Sequence, residues 1–275
     1  MPEAKRPVKK TTQAGALRSL WLPNRPVARG TWLLLCLSWA AALILAWSLS
    51  PFETLPTPRE VLKAISVLWW QRGMGPELFV TMKLILHALA LTVALSLLLA
   101  YASVIAFLRP LVMAVAKLRF LGLTGLVFPF TLMTGGGYTL KVVLLTFGMT
   151  TFFVTSMAQI ILEIPQQEFD HMRVLGAGEL RILYEVVLRG TLDKALEVTR
   201  QNVAIGWAMI TMVEGISRAE GGIGALILNQ NKHFHLAEVY AILLVILLLG
   251  LLMDYGMAAL TALLCPHSVM ARVRR

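Results

Sequence analysis

Long apolar segments alternate with short polar segments along most of this chain. Several of them reach the roughly 20 residues that an α-helix needs to cross the hydrocarbon core of a bilayer. The predicted spans are residues 31–49, 77–107, 120–134, 138–162, 192–214 and 238–264. The pattern therefore predicts an all-α polytopic membrane protein with about six transmembrane helices.

Composition supports this class of protein. Of the 275 residues 57% are hydrophobic and only 15% are charged, and the mean hydropathy is +0.73. A membrane β-barrel would show alternating segments of about ten residues, and the sequence lacks them. The net charge is +10. Because basic residues of membrane proteins fix topology and meet anionic headgroups, we predict contact with membrane lipid and no nucleic-acid partner.

The polar segments divide the chain. We predict a basic cytoplasmic arm over residues 1–30, a first transmembrane helix over 31–50 and a periplasmic segment with an interfacial helix over 51–76. Residues 77–264 form a core of five further spans, and residues 265–275 form a basic cytoplasmic tail. Basic residues concentrate in the arm, the loop between the second and third spans, the central loop and the tail. This bias predicts that both termini and the 164–192 loop are cytoplasmic.

The 164–192 loop is the longest polar interruption in the second half of the chain. Pro165 breaks the preceding helix, and apolar residues three apart (Phe169, Met172, Leu175) then predict a short amphipathic helix. Gly176 and Gly178 predict a turn, and residues 180–188 predict a second amphipathic piece. Two short helices at a sharp angle would form a projection that a soluble partner can bind.

The loop resembles the EAA loop of the permeases of binding-protein-dependent ABC importers, with the pattern EAA-x3-G-x9-I-x-L-P. Asp170, His171 and Met172 stand at the positions of Glu-Ala-Ala, and Gly176 is the motif glycine. Val186 and Leu188 match the apolar positions, whereas an arginine replaces the final proline. The resemblance implies coupling helices that dock on an ATPase. The residues assigned to coupling are Glu168, Asp170, His171, Met172, Leu175, Gly176, Gly178, Val186 and Leu188.

Three further strings look like the nitrate, sulfonate and taurine type of permease: LPTPREVLKAI, TRQNVAIGWAMITMVEG and EGGIGALI. The resemblance implies the type I importer fold in a bacterial inner membrane, with the solute a small organic or inorganic anion. The implied partners are cytoplasmic ABC ATPase subunits, a second permease subunit and a periplasmic or lipid-anchored substrate-binding protein. A homodimer of permeases is favoured over a heterodimer. ATP and Mg²⁺ would be bound by the ATPase.

Ionisable residues within the spans are candidates for the transport pathway. Lys83 and His87 lie four apart on one helix face, and with Lys141 they would make the outer half of a pathway positive. The alternative is that the lysines extend to the headgroups while His87 is hydrogen-bonded within the bundle. Glu214 is expected to shape a gate at the outer end. The charged residues interpreted as structural are Glu197, Arg200 and Asp254.

Enzymatic motifs are missing from the sequence. No G-x-x-x-x-G-K-[ST] phosphate loop occurs. His233 and His235 are spaced closely enough to clamp a metal, but no third ligand lies nearby in the sequence, and the two cysteines are far apart. We therefore predict no catalytic residue, no metal and no cofactor in this chain. The alternative function is a membrane scaffold, or an intramembrane enzyme, without an ATPase partner.

Overall fold

The chain is described here by a computed structural model that covers residues 29–50, 55–217 and 220–265. It divides into two units, residues 1–60 and residues 61–275. The predicted basic arm and tail lie almost wholly outside the described residues.

The described part of the first unit is mainly helix α1, Arg29–Ser48. This helix is apolar throughout, and most of its side chains are exposed, as expected for a helix surrounded by lipid. Thr57 and Glu60 form a capping box: the backbone N–H of Thr57 donates to Glu60 Oε2 over 2.9 Å, and that of Glu60 donates to Thr57 Oγ1 over 3.4 Å. The box begins helix α2, Pro58–Gln71.

The second unit contains the remaining helices. They are α3 (Met74–Ala102), α4 (Arg109–Lys117), α5 (Leu123–Thr134), α6 (Gly137–Leu162), α7 (Gln166–Val174), α8 (Glu179–Ile182), α9 (Leu192–Ile216), α10 (Ile223–Lys232) and α11 (Leu236–Leu264). A 3₁₀ turn at Leu118–Phe120 follows α4, and a π-helical segment, Leu183–Arg189, follows α8.

The predicted fold class is confirmed. Among the described residues, four helices (α1, α3, α6 and α11) are long and apolar enough to cross a membrane. A fifth span results if α4 and α5, which meet at 114°, count as one. The remaining predicted span, 192–214, is α9, whose 25 residues extend over about 37 Å. Its first half carries Glu197 and Arg200, two of the charged residues selected from the sequence.

One segment differs from the prediction. Residues between the second and third spans were expected to form a loop, but Arg109–Lys117 is a helix. Pro110 lies in its first turn, where a missing N–H costs no hydrogen bond, and Leu111–Ala116 are mostly helix-compatible apolar residues. The region of the third span is therefore a bent pair of helices, α4 and α5, rather than one straight helix.

Helix α6 is the centre of the second unit. Of an 18-residue apolar stretch within this helix, 67% is buried. It packs against α3 and α9 around Ile85, Leu145, Met149 and Trp207. Because helices on several sides cover α6, its apolar residues extend around most of its circumference.

Two glycines bring α6 and α9 close together in a reciprocal contact. A Cβ on Gly148 of α6 would lie 2.9 Å from Met209 Sδ, and a Cβ on Gly206 of α9 would lie 3.0 Å from Met149 Sδ. Each helix thus provides one glycine that receives a methionine of the other. We call these four residues the Gly–Met seam.

A bulky side chain in the Gly–Met seam is expected to destabilise the bundle. Gly206→Leu should force α9 away from α6 and lower the free energy of unfolding by about 1–3 kcal/mol. Thermal unfolding of the detergent-solubilised chain, followed by tryptophan fluorescence, measures this change. The control is Ala208→Leu at an exposed position of the same helix. Equal midpoints for the two variants would show that the seam tolerates added volume.

Candidate functional site

Two ends of the second unit carry the candidate residues. We call the end with residues 164–191 the loop end, and the end with residues 135–137 and 220–222 the turn end. The loop end contains all of the predicted coupling residues. The turn end contains Lys141 and Glu214, and Lys83 and His87 lie on the half of α3 that starts there.

Helix α7 ends in a Schellman motif. Gly176 has φ +77°, its N–H donates to Arg173 O over 2.9 Å, and the N–H of Ala177 donates to Met172 O over 3.1 Å. This ending requires a left-handed residue, which glycine adopts without steric cost. The sequence pattern placed the turn correctly, and the motif glycine is the residue that makes it.

Arg173 joins the end of α7 to the start of α8. Its guanidinium donates to Asp170 Oδ1 over 3.0 Å and to Glu179 Oε1 over 3.1 Å. The hydrogen bond with Glu179, followed by the charge of that carboxylate, raises the pKa of Arg173 above its ordinary value. The arginine thus forms an exposed link between α7 and α8.

The second amphipathic piece, residues 180–188, begins in the short helix α8 and continues as a π-helical segment. The N–H of Gly190 donates to Glu185 O over 3.1 Å, five residues earlier, as a π-helix requires. A Cβ on Gly190 would lie only 2.3 Å from Val186 O, so a larger residue does not fit. The sequence reading missed this geometry because its apolar spacing is close to that of an α-helix.

The loop is anchored to the bundle by apolar contacts. Phe169, Leu183 and Val187 pack on a cluster that includes Phe153 of α6 and Ala195 of α9. Val187 is fully buried. Because both short segments contribute to this contact, the loop is packed against α6 and α9.

The structure brings some of the predicted coupling residues together. A cavity of about 420 Å³ between α7 and the π-helical segment is lined by Glu168, His171, Met172 and Val186, among others. A smaller one of about 250 Å³ is lined by Met172, Leu175 and Gly176. The predicted coupling residues outside both linings are Asp170, Gly178 and Leu188.

The loop also exposes large apolar side chains. Val174 is 86% exposed and Leu180 is 84% exposed, and Leu175 and Tyr184 are exposed as well. Of these four, only Leu175 was among the predicted coupling residues. Leu180 and Tyr184 belong to the predicted apolar face of the second amphipathic piece, and periodicity does not separate an outward position from a buried one within such a face.

The turn end is organised around a buried carboxylate. Glu214 is 0% exposed; its Oε1 accepts from Thr81 Oγ1 over 2.7 Å, and its Oε2 accepts from the N–H of Gly224 over 2.8 Å. Thr81 Oγ1 in turn accepts from the N–H of Ile223 over 2.9 Å. These bonds satisfy the first N–H groups of α10.

Lys141 and Glu77 complete the same network. Lys141 is 1% exposed, and its Nζ donates to Gly221 O over 2.7 Å. Glu77 accepts from the N–H of Gly222, a residue with φ +107° where a Cβ would collide with the Glu214 carboxylate. We call this group (Glu77, Thr81, Lys141, Glu214 and residues 220–224) the turn-end network. Sequence reasoning missed Glu77 and Thr81.

Lys83 and His87 are separate from Lys141. Both are exposed on α3 and meet Tyr138 at the start of α6. His87 Nδ1 lies 3.3 Å from the Tyr138 hydroxyl, and Lys83 Nζ lies 5.7 Å from the centroid of the Tyr138 ring. The structure therefore brings Lys83 and His87 together, with a tyrosine that the sequence reading did not select.

Arg200 of α9 is paired with Glu197 of the same helix and with Asp254 of α11. Arg200 Nε donates to Asp254 Oδ1 over 2.7 Å, and Arg200 Nη1 lies 3.5 Å from Glu197 Oε2. The arginine thus links two helices through one carboxylate on each. An arrangement of this kind compensates charges that would be costly in an apolar environment.

Comparison with known proteins supports the family resemblance. No protein-family model matches the chain. The chain is 26% identical over 132 residues to the taurine transport system permease protein of Escherichia coli (strain K12). The matched region covers 48% of this chain and 48% of that protein, so the match spans about half the length of each. This similarity confirms the resemblance to ABC importer permeases of the taurine and sulfonate type.

Breaking the turn-end network is expected to destabilise the protein. Glu214→Ala leaves the Thr81 hydroxyl and the Gly224 N–H without their buried acceptor, and each buried donor left unsatisfied costs about 1–3 kcal/mol. Thermal unfolding should therefore show a large fall in the midpoint. Glu163→Ala, at an exposed position, is the control.

A double variant tests whether the two charges are coupled. Lys141→Met combined with Glu214→Gln should lose less stability than the sum of the single variants, because neither charge is left unpaired. Additive losses would show that the charges of Lys141 and Glu214 are not coupled.

Proposed function

We propose that this chain is the permease subunit of an ATP-driven ABC importer and that it couples to a separate ATPase through the 164–192 loop. The observation that carries the proposal is the bent projection at the loop end, which packs on the bundle and exposes several large apolar side chains. Similarity to a transport permease, over half of the chain, supports the same function.

Coupling requires an element that transmits motion without deforming. The Schellman ending at Gly176 and the bridge from Arg173 to Glu179 link the two short helices of the loop. Packing of Phe169 and Val187 on the core joins the loop to α6 and α9. A displacement of the loop is therefore passed to the spans rather than absorbed by a flexible connection.

Binding requires a surface that a partner can cover. The exposed apolar side chains Val174, Leu175, Leu180 and Tyr184 supply hydrophobic area, which drives association. Polar Glu168 and His171 line the adjacent cavity. Hydrogen bonds to these side chains would fix the position of the partner on the loop. We propose cytoplasmic ABC ATPase subunits as the partner, which hold ATP and Mg²⁺ themselves.

The rest of the assembly follows from the same proposal. Two permease subunits, two copies of this chain being favoured, would surround the pathway in a bacterial inner membrane. Both termini and the loop end would face the cytoplasm, and the turn end would meet a substrate-binding protein. ATP-driven closure of the ATPases would draw the loops together and open the pathway outward; hydrolysis would reset it.

The proposed pathway residues take different roles. Lys83 and His87 are exposed and would face a small organic or inorganic anion. Lys141 and Glu214 are buried in the turn-end network, where they hold residues 220–224 in place. We therefore assign these two to the shape of the outer gate and not to direct solute contact.

Gly176 tests the coupling function. Gly176→Glu forces a side chain into φ +77°, which costs roughly 1–2 kcal/mol for a residue with a Cβ, although the space around it is open. We expect solute-stimulated ATP hydrolysis and uptake by the purified complex to fall while the thermal midpoint of the spans changes little.

Gly176→Asn provides a matched control, because asparagine tolerates the left-handed region better than other residues with a Cβ and the surroundings are open. It adds a polar side chain at the same position with less backbone strain, and it should retain most of the activity. If Gly176→Glu retains full stimulated hydrolysis and uptake, the docking role of the loop is refuted.

Photo-crosslinking tests the identity of the partner. A benzophenone amino acid at Leu180, 84% exposed at the loop end, should crosslink in native membranes to a polypeptide that hydrolyses ATP. The same amino acid at Leu132 of α5, also exposed, is the control and should not. Absence of an ATPase from the Leu180 product would favour a scaffold or an intramembrane enzyme instead.

A further inference from the structure

Lys83, His87 and Tyr138 form a cluster on the surface of α3 and α6. Tyr138 contacts both other residues, through its hydroxyl to His87 Nδ1 at 3.3 Å and through its ring to the Lys83 ammonium at 5.7 Å. A cation over an aromatic ring is held there by the ring quadrupole. The tyrosine therefore positions two nitrogen donors on one exposed face.

The depth of the cluster is informative. His87 lies at the middle of α3, a helix of 29 residues that extends over about 43 Å. A bilayer core is about 30 Å thick, so the middle of such a helix lies far from the headgroups. A polar side chain at that depth faces protein or a water-filled pathway, not lipid.

The charge of the cluster is uncompensated within the described part of the chain. Lys141, one turn beyond Tyr138, has Glu214, Glu220 and Glu77 close enough to interact with its charge. Among the described residues, the contacts of Lys83 and His87 with charged or polar side chains are those with Tyr138. An ammonium group on this face without a carboxylate partner favours a ligand that brings the negative charge.

We propose that Lys83, His87 and Tyr138 form a binding site for the oxyanionic group of the transported solute, such as a sulfonate, carboxylate or nitrate. This inference rests on the proposed transport function. Lys83 supplies the charge. When the Tyr138 hydroxyl donates to Nδ1 of neutral His87, the ring proton lies on Nε2, which is then a donor toward the anion. Tyr138 is a positioning residue.

A cysteine reporter tests the charge and the aqueous access of this face. The chain has two cysteines, Cys36 and Cys265, which are replaced by serine. Ala90→Cys, exposed and one turn beyond His87 on α3, is then labelled in native membranes containing the full chain. The reagents are an anionic and a cationic methanethiosulfonate, with rates normalised to a free thiol.

We expect the anionic reagent to react at least about fivefold faster than the cationic one, because one unpaired ammonium attracts it through a partly screened medium. Lys83→Gln should remove most of this preference. Lys232→Gln, which neutralises an exposed lysine at the end of α10, should leave it unchanged. An unreactive cysteine, or a preference independent of Lys83, overturns the proposal.

Protection by anions tests binding itself. Ethanesulfonate, acetate and nitrate are added separately at constant ionic strength, and at least one should slow labelling in a saturable way. Lys83→Gln and His87→Gln should abolish the protection. Tyr138→Phe should keep the preference for the anionic reagent but weaken protection severalfold, a split that a purely structural tyrosine would not produce.

Failure of all three anions to protect overturns the site. The labelling needs neither ATP nor an ATPase, so it separates this site from the coupling function. Protection without ATPase crosslinking would retain the anion site and reject the importer. Crosslinking without protection would retain the importer and reject the site.

Discussion

A carboxylate that is removed from water must be given hydrogen-bond donors, and this constraint shapes the turn end of the protein. Glu214 is fully buried and receives the Thr81 hydroxyl and the Gly224 N–H. Those bonds fix the start of α10 against α3 and α9. Gly222 and Gly224 are required because a Cβ at either position would collide with Glu214 or with the backbone of α9. The same close approach of residues 222–224 to α9 therefore supplies the hydrogen bond that the buried carboxylate needs.

The loop end meets a different requirement. Its backbone must reverse direction in water while it keeps a defined shape. It does so with a left-handed glycine at 176 and with a π-helical segment that is followed by Gly190. The turn-end network is stabilised by burial, whereas the loop is stabilised by local backbone geometry and by anchoring to the apolar core. The two ends can thus serve different partners without sharing residues.

The sequence predicted what depends on local pattern. Apolar runs located the main spans, and the two glycines with Pro165 located the bent loop. It did not predict the 114° bend between α4 and α5, because Leu111–Ala116 are compatible with both a loop and a helix at a membrane surface.

Residues that act through tertiary contacts were also missed. Tyr138 lies 51 positions from His87, and Thr81 lies 133 positions from Glu214. No periodicity within a single helix connects such pairs. Lys141 is of a residue type expected in a transport pathway. However, its hydrogen bond with Gly221 O holds it in the interior. Residue type suggested the chemistry, and only the packing of α3, α6 and α9 decided which side chains meet.

The Gly–Met seam has a mechanical consequence for any motion of these helices. Each methionine is an unbranched thioether with several rotatable bonds, and each rests on the bare backbone of the opposite helix. Axial sliding by a fraction of a residue can be followed by torsional adjustment of Met149 and Met209, so the surfaces remain in contact throughout. Branched aliphatic side chains in the same grooves would interlock and resist that shear. The contact between α6 and α9 is therefore adaptable, and the spacing of the two helices is set by the missing side chains of Gly148 and Gly206.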